Sequence, residues 1–270
     1  MTGAEEQPRE GSRLRRGLRT ARRRWRTLAI VSLVILAVVA VAGIVFLETP
    51  YHGESDRLGE IHDRDDIVLE RGDGTYVLRG GDVTEDTLGI VFYPGARVHP
   101  DAYVWTLAPV VAAEDVVIVI PEMPLNLAVL DSSAAADVKT THKEIDRWAV
   151  GGHSLGGAMA CRYASGADDG TLEGVVLFAA YCDDSDDLGD RGYSVLSVQG
   201  TADGVIDSDT ERANRPLLGS DARIVEVEGM NHAQFGAYGD QRGDNAPEID
   251  DEEARSELVE AVLEWIRGLE

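Results

Sequence analysis

The pentapeptide Gly152-His153-Ser154-Leu155-Gly156, flanked by Gly151 and Gly157, puts a serine inside a glycine-rich turn. An apolar strand pattern at 148–150 runs into it, and a helical pattern rich in small residues (Ala158, Ala160, Ala164) leaves it. In that context G-x-S-x-G has a physical meaning. Glycines on both sides let the chain make a strained strand-to-helix turn that presents the serine oxygen. A serine hydroxyl is a weak nucleophile until a neighbouring base takes its proton, so a histidine is needed. The chain has six. His52 and His62 lie in a polar stretch, and His153, the variable residue of the turn, reads as packing. His99 follows the first long strand pattern, and His142 sits in a helical pattern away from any strand's carboxyl end. His232, in Gly229-Met230-Asn231-His232 directly after the last strand pattern, is placed where a base can reach Ser154.

That base needs an acid behind it. Asp203 stands in Gln199-Gly200-Thr201-Ala202-Asp203-Gly204, just past the strand pattern at 195–198. A carboxylate there can accept the imidazole N–H, fix its tautomer and stabilise the imidazolium as it forms. Asp183, after the preceding strand pattern, is the substitute. An oxyanion developing on the substrate needs two backbone N–H groups. Leu155, next after the serine, supplies one. The other is expected from Tyr93-Pro94-Gly95-Ala96-Arg97, where the first long strand pattern ends. Pro94 has no N–H and Gly95 lets the backbone turn, which leaves Ala96. Arg97, Glu122 and Asn126 each follow a strand's carboxyl end and are expected to border the same pocket. Arg97 reads equally as a site for an anionic substrate group and as the partner of a surface carboxylate. No metal or cofactor is implied.

These residues need a scaffold that collects strand ends. Apolar runs recur at 89–93, 116–120, 148–150, 175–181, 195–198 and 224–227. Continuous valine and isoleucine, without alternation, is how strands buried on both faces of a parallel sheet read. Helical patterns at 101–113, 128–142, 155–165, 210–218 and 252–269 lie between and after them. Two short β runs, 67–70 and 75–79, flank Asp73-Gly74, a hairpin signal. The fold class is therefore α/β, a mostly parallel central sheet with helices on both faces. Only an acidic loop joins 181 to 193, where enzymes of this architecture often insert a lid, so an open, shallow site is expected.

The chain resembles the α/β-hydrolase superfamily, and within it a compact, lidless, dienelactone-hydrolase-like group, alpha/beta hydrolase fold-5. The residues that carry the resemblance are Phe92-Tyr93-Pro94-Gly95-Ala96, Asn126-Leu127-Ala128-Val129-Leu130, the stretch 151–157, Gly200-Thr201-Ala202-Asp203-Gly204 and Asn231-His232-Ala233-Gln234-Phe235-Gly236. Together they cover roughly residues 66–270. The resemblance implies the fold and a triad in the order Ser154, Asp203, His232, with serine where a dienelactone hydrolase is expected to carry cysteine.

The first 47 residues are of another kind. Residues 28–47 contain no charge, and Ser32 is their only polar side chain. At about 1.5 Å per residue such a run spans roughly the 30 Å hydrocarbon core of a bilayer. Nine arginines from Arg9 to Arg26 precede it, which predicts a cytoplasmic N-terminus and an external remainder. The segments expected are a basic tail at 1–27, a transmembrane anchor at 28–47, a polar spacer at 48–65 and the catalytic domain at 66–270. The other reading is a cleaved signal ending at Ala40-Val41-Ala42, with the domain secreted.

Residues 48–270 hold 16 basic against 46 acidic side chains, a net charge of −30. That disfavours nucleic acid as a partner and resembles the surface of proteins adapted to high salt. Cys161 falls two turns into a helical pattern and Cys182 at a strand end, so both are expected as unpaired thiols. The function expected is hydrolysis of a small-molecule carboxylic or thio-ester through an acyl-enzyme. The alternatives are acyl transfer by the same residues and a non-catalytic binding domain on the same scaffold.

Overall fold

In the central strands, alternate residues face two separate cores. The computed structural model of the chain describes residues 10–72 and 74–269, excepting the side chains of 10–24 and 26–28. The first nine residues of the expected basic tail and Asp73 of the expected hairpin turn therefore lie outside the described residues. The chain divides into two units, Met1–Phe46 and Leu47–Glu270. In the first, α1 (Glu10–Leu47) carries a 19-residue apolar stretch, Ala29–Leu47, with a mean hydropathy of 3.2.

The second unit holds an eight-stranded sheet. Its strands are β1 (Val68–Gly72), β2 (Thr75–Arg79), β3 (Leu88–Tyr93), β4 (Val116–Pro121), β5 (Arg147–His153), β6 (Gly174–Phe178), β7 (Ser194–Gly200) and β8 (Arg223–Val227). Their order is β1-β2-β4-β3-β5-β6-β7-β8. β1 and β2 form the expected hairpin, β2 pairs antiparallel with β4, and every other pairing is parallel. Leu88, Ile90 and Phe92 of β3 point to one core, and Val91 and Tyr93 to the other. β4 divides in the same way, with Ile118 and Ile120 against Val117 and Val119. This period of two explains why the runs are apolar without alternation.

Helices cover both faces. α2 (Ser55–His62), α3 (Val104–Ala113) and α7 (Asp251–Arg267) close the first core. α7 begins at Asp250, whose carboxylate caps the Glu253 N–H, and places Leu258, Val262, Trp265 and Ile266 on its buried stripe. α4 (Ala134–Thr141) and α5 (Leu155–Gly166) close the second core, while α6 (Ser208–Asn214) follows β7.

Three expectations need correction. The helix expected over 128–142 is one short 3₁₀ turn (Ala128–Leu130) followed by α4, because Asp131 (φ −149°, ψ 69°) leaves helical geometry between them. Residues 48–65, expected as a polar spacer, include α2, which buries Ile61. Glu60 of that helix also accepts the indole N–H of Trp105 at 2.8 Å. Finally, Cys161 and Cys182 are not free thiols: they form a disulfide with their Cα atoms 5.4 Å apart. The chain leaving β6 turns back at Ala179 (φ 42°) and runs along α5. A Cβ on Gly157 would come within 2.4 Å of the Ala180 Cβ. Gly157 and Cys161 are one turn apart on that same helix face, so Cys182 arrives opposite Cys161.

Chain order reverses at β3, which lies between β4 and β5. In open α/β sheets ligands bind outside the carboxyl ends of the strands at such a switch point. Here those ends carry the loop after Tyr93 and the turn at Ser154.

Candidate active site

Ser154 sits between β5 and α5 with φ 54° and ψ −122°, a conformation few non-glycine residues adopt. The surrounding glycines make it attainable. A Cβ on Gly152 would lie 2.5 Å from the Gly156 carbonyl carbon, and one on Gly156 would lie 2.1 Å from the Tyr93 carbonyl oxygen. The turn is therefore packed too tightly for any side chain at those two positions. The Ser154 N–H donates to the Phe178 carbonyl at 2.9 Å, which fixes the turn to the neighbouring strand.

His232 and Asp203 come from two loops that are fastened together. Thr201 and Ala202 donate backbone bonds to the Val227 and Met230 carbonyls at 3.0 Å each, and the Gly229 N–H donates to Thr201 Oγ1 at 2.9 Å. The result is a contact of 2.7 Å between His232 Nδ1 and Asp203 Oδ2, with both side chains 1% exposed. Asp203 Oδ1 accepts the N–H groups of Val205 (2.7 Å) and Ile206 (2.9 Å), so the carboxylate cannot swing away from the ring. Asp183, the substitute acid, is exposed and accepts from Ser185 instead.

One residue in this arrangement was not singled out from the sequence. Asp244 accepts the Gly204 N–H at 2.9 Å through Oδ1 and the Ala233 N–H at 2.9 Å through Oδ2. Its carboxylate thus bridges the residue after Asp203 and the residue after His232. Aspartate is so common in this chain that spacing alone could not mark it.

His153 also has more than a packing place. Its ring is fully buried and lies 4.5 Å from that of His232 and 5.6 Å from that of Phe235. Burial, followed by the neighbouring His232, pushes its pKa well below the ordinary histidine value, so it is neutral. Its Nδ1 is 3.0 Å from the Tyr103 hydroxyl, which accepts the Gly95 N–H at 2.8 Å. The turn at Ser154 is thereby connected to the loop after β3.

That loop is held at both ends. Arg97 (φ 58°) donates its N–H to the Asn126 carbonyl at 2.8 Å, and Val98 donates to Gly95 at 3.1 Å. Among the described residues, neither the Ala96 nor the Leu155 N–H is given to a protein acceptor. Register pairs Tyr93 with Gly152, so the two loops leave the sheet side by side.

Of the three residues expected to border the pocket, two hold the entering chain. Arg97 donates to the Thr49 carbonyl at 2.7 Å and lies 5.5 Å above the Tyr51 ring. Asn126 Nδ2 donates to the Leu47 carbonyl at 2.9 Å. Glu122 is exposed and lies against Gly74 of the first hairpin. His52, His99 and Asp101 bring three potential ligand atoms within 4.8 Å of one another. Asp101 already bonds both rings at 3.0 Å and the Gly53 N–H at 2.8 Å.

A family model described as the alpha/beta hydrolase family matches residues 89–256. The chain belongs to that family. No curated protein matches this alpha/beta hydrolase by sequence. Its fold is similar to a predicted CIB-like hydrolase from Thermoplasma acidophilum, at TM-score 0.55 and 17% identity, covering 75% of this chain and 99% of the other. It is also similar to a membrane phospholipase A described as a bacterial virulence factor, at TM-score 0.55 and 14% identity, covering 89% and 98%. A third similar structure is a hyperthermophilic esterase from the archaeon Pyrobaculum calidifontis, at TM-score 0.54 and 16% identity, covering 79% and 88%. At these identities the likeness establishes the α/β-hydrolase fold.

Proposed function

We propose that the chain is a serine hydrolase acting on carboxylic or thio-esters, with Ser154 as nucleophile, His232 as base and Asp203 as the acid behind it. The observation that carries this reading is the sealed 2.7 Å contact between His232 and Asp203, formed on loops beside the Ser154 turn. His232 takes the Ser154 proton on Nε2 while the serine oxygen attacks the substrate carbonyl. The Ala96 and Leu155 N–H groups hold the oxyanion. Collapse of the tetrahedral intermediate breaks the ester bond, and His232 returns its proton to the leaving alcohol or thiol. Water, activated by the same imidazole, then frees the acid and restores the serine.

The apolar stretch Ala29–Leu47, preceded by arginines, favours a single-pass anchor with a cytoplasmic N-terminus and an external catalytic domain. The Cys161–Cys182 disulfide supports the external placement, because such bonds persist in oxidising compartments.

The test is turnover of short p-nitrophenyl esters by the full chain in detergent. The wild type should be active and His232→Ala should lose at least about 10³-fold in kcat, in line with other triad bases. A His232→Ala variant of wild-type activity would assign the base elsewhere.

A further inference from the structure

Two short segments of the second unit run side by side, residues 51–54 and the stretch 97–101 that continues the loop bearing Ala96. Tyr51 pairs with Val98 in a parallel bridge, donating its N–H to the Arg97 carbonyl at 2.7 Å and accepting the His99 N–H at 2.8 Å. This pairing sets His52 beside His99, with the ring centroids 4.4 Å apart. Asp101 lies against both. Its Oδ2 is 3.0 Å from His52 Nδ1, and its Oδ1 is 3.0 Å from His99 Nδ1. The Gly53 N–H donates to Oδ1 at 2.8 Å and so orients the carboxylate. One potential ligand atom from each of the three residues lies within 4.8 Å of the other two.

Hydrogen bonds alone do not satisfy this cluster. His99 Nδ1 lies 3.0 Å from Asp101 Oδ1 and also 3.3 Å from the Asp101 backbone nitrogen, whose N–H it is placed to accept. A ring nitrogen holds either a proton or a lone pair, so it cannot donate to the carboxylate and accept the N–H at once. With the proton it faces a donor; without it, its lone pair faces the carboxylate oxygen. A cation between nitrogen and carboxylate removes that last repulsion. The spacing suits one. Zinc bonds of about 2.0–2.2 Å at the tetrahedral angle put neighbouring ligand atoms about 3.3–3.6 Å apart. The 3.0 Å contacts need to open by only a few tenths of an ångström. His99 is buried with the edge of Tyr76 beside it, whereas His52 is exposed and can give.

We propose that His52, His99 and Asp101 form a binding site for a divalent transition-metal ion of the zinc class, open to solvent on the His52 side. Two imidazole nitrogens and one carboxylate select such an ion over calcium or magnesium, which take oxygen ligands. Water completes the coordination. The net charge of −30 on residues 48–270 draws cations to the domain, and Asp101 neutralises part of the ion's charge. The ion acts as a clamp. It ties residues 51–54 to 97–101 and steadies the backbone that continues into the loop after β3. The site shares no residue with Ser154, His232 and Asp203, so it stands apart from the hydrolase reading.

The test titrates the full chain in detergent, freed of metal by a chelator, with Zn²⁺ in a calorimeter. Wild type and Ser154→Ala should each bind one tight equivalent. His52→Ala should bind at least about 100-fold more weakly, since even a partner outside the ligand set is worth roughly 10–100-fold in affinity. Without metal, that variant should unfold within a few degrees of the wild type, because the truncated ring is exposed. His62→Ala removes an exposed histidine outside the cluster and should bind zinc as the wild type does. A second arm needs no variant. Zn²⁺ should slow hydrogen exchange at the Gly53 and His99 amides of the wild type, because it ties their two segments together. Wild-type affinity in His52→Ala, no tight equivalent in the wild type, or zinc binding that leaves those two amides unchanged would overturn the site. Loss of ester turnover in a chain that still binds zinc in this way would count against the hydrolase reading alone.

Discussion

The Nδ1 of His232 lies 2.7 Å from Oδ2 of Asp203, and neither side chain is more than 1% exposed. With two backbone N–H groups on the other carboxylate oxygen, Asp203 can accept only from this ring without breaking a bond. Asp203→Asn keeps the shape but presents an N–H or a weaker acceptor to the ring, which favours the wrong imidazole tautomer. The expected loss is about 10⁴-fold in kcat, as in other triads of this geometry, with little change in KM. Asp183→Asn should leave both constants near wild type. The pair of variants, assayed on one ester, decides between the two acids.

Asp244 joins the loops of Asp203 and His232 through Gly204 and Ala233, with both bonds at 2.9 Å. Asp244→Ala leaves three backbone N–H groups, of Gly204, Ala233 and Asn245, to find water or go unpaired, at about 1–3 kcal/mol for each one left buried. Thermal unfolding should shift down, and kcat should fall more than KM rises, because the acid and base lose their common support. Unchanged kcat in a destabilised variant would make the bridge purely structural.

The Cys161–Cys182 bond closes a loop with a sequence separation of 21 residues. A cross-link over a loop of that size contributes about 3 kcal/mol, which for a domain of this length corresponds to roughly 6–12 °C in Tm. Calorimetry with and without reductant, together with the double Cys→Ser variant, should show that difference. Identical Tm values under both conditions would mean that the bond contributes nothing to stability.

The segment 49–54, whose backbone bonds the loop after β3 and Asp101, should be acid-labile. Burial works to raise the pKa of Asp101, but bonds from His99, the Gly53 N–H and His52 outweigh it and hold the carboxyl below its ordinary value of 3.8. Because the folded pKa lies below the unfolded one, the stabilisation is fully present above the unfolded value. It is lost as pH falls through the folded value. Hydrogen-exchange protection of the Gly53 amide, corrected for intrinsic rates, should therefore drop below about pH 4. In Asp101→Asn it should be low at every pH, and a wild-type profile in that variant would mean that Asp101 does not hold this segment.

The sheet was legible because each central strand serves two cores, which makes its sequence continuously apolar. Ser154 was legible because a strained turn demands glycines on both sides, and His232 because five other histidines could be placed elsewhere. The disulfide was not, since it depends on the chain after β6 doubling back at Ala179, a residue with no sequence signal for positive φ. Asp244 and Tyr103 were hidden for a similar reason. Each acts by accepting backbone N–H groups from distant loops, and nothing in local spacing marks such acceptors. Residues 47–54 carry no such mark in the sequence, because their hold on the domain comes largely from backbone carbonyls, which every residue has. Arg97 and Asn126, singled out as pocket residues, prove to donate to those carbonyls.

The central claim is that Ser154 forms a covalent intermediate. The most direct measurement is reaction of the full chain with a fluorophosphonate, followed by peptide mass analysis. A single adduct is expected on the peptide containing Ser154, absent from Ser154→Ala and greatly slowed in His232→Ala. Labelling of Ser154→Ala at the wild-type rate, or an adduct on another residue, would contradict it.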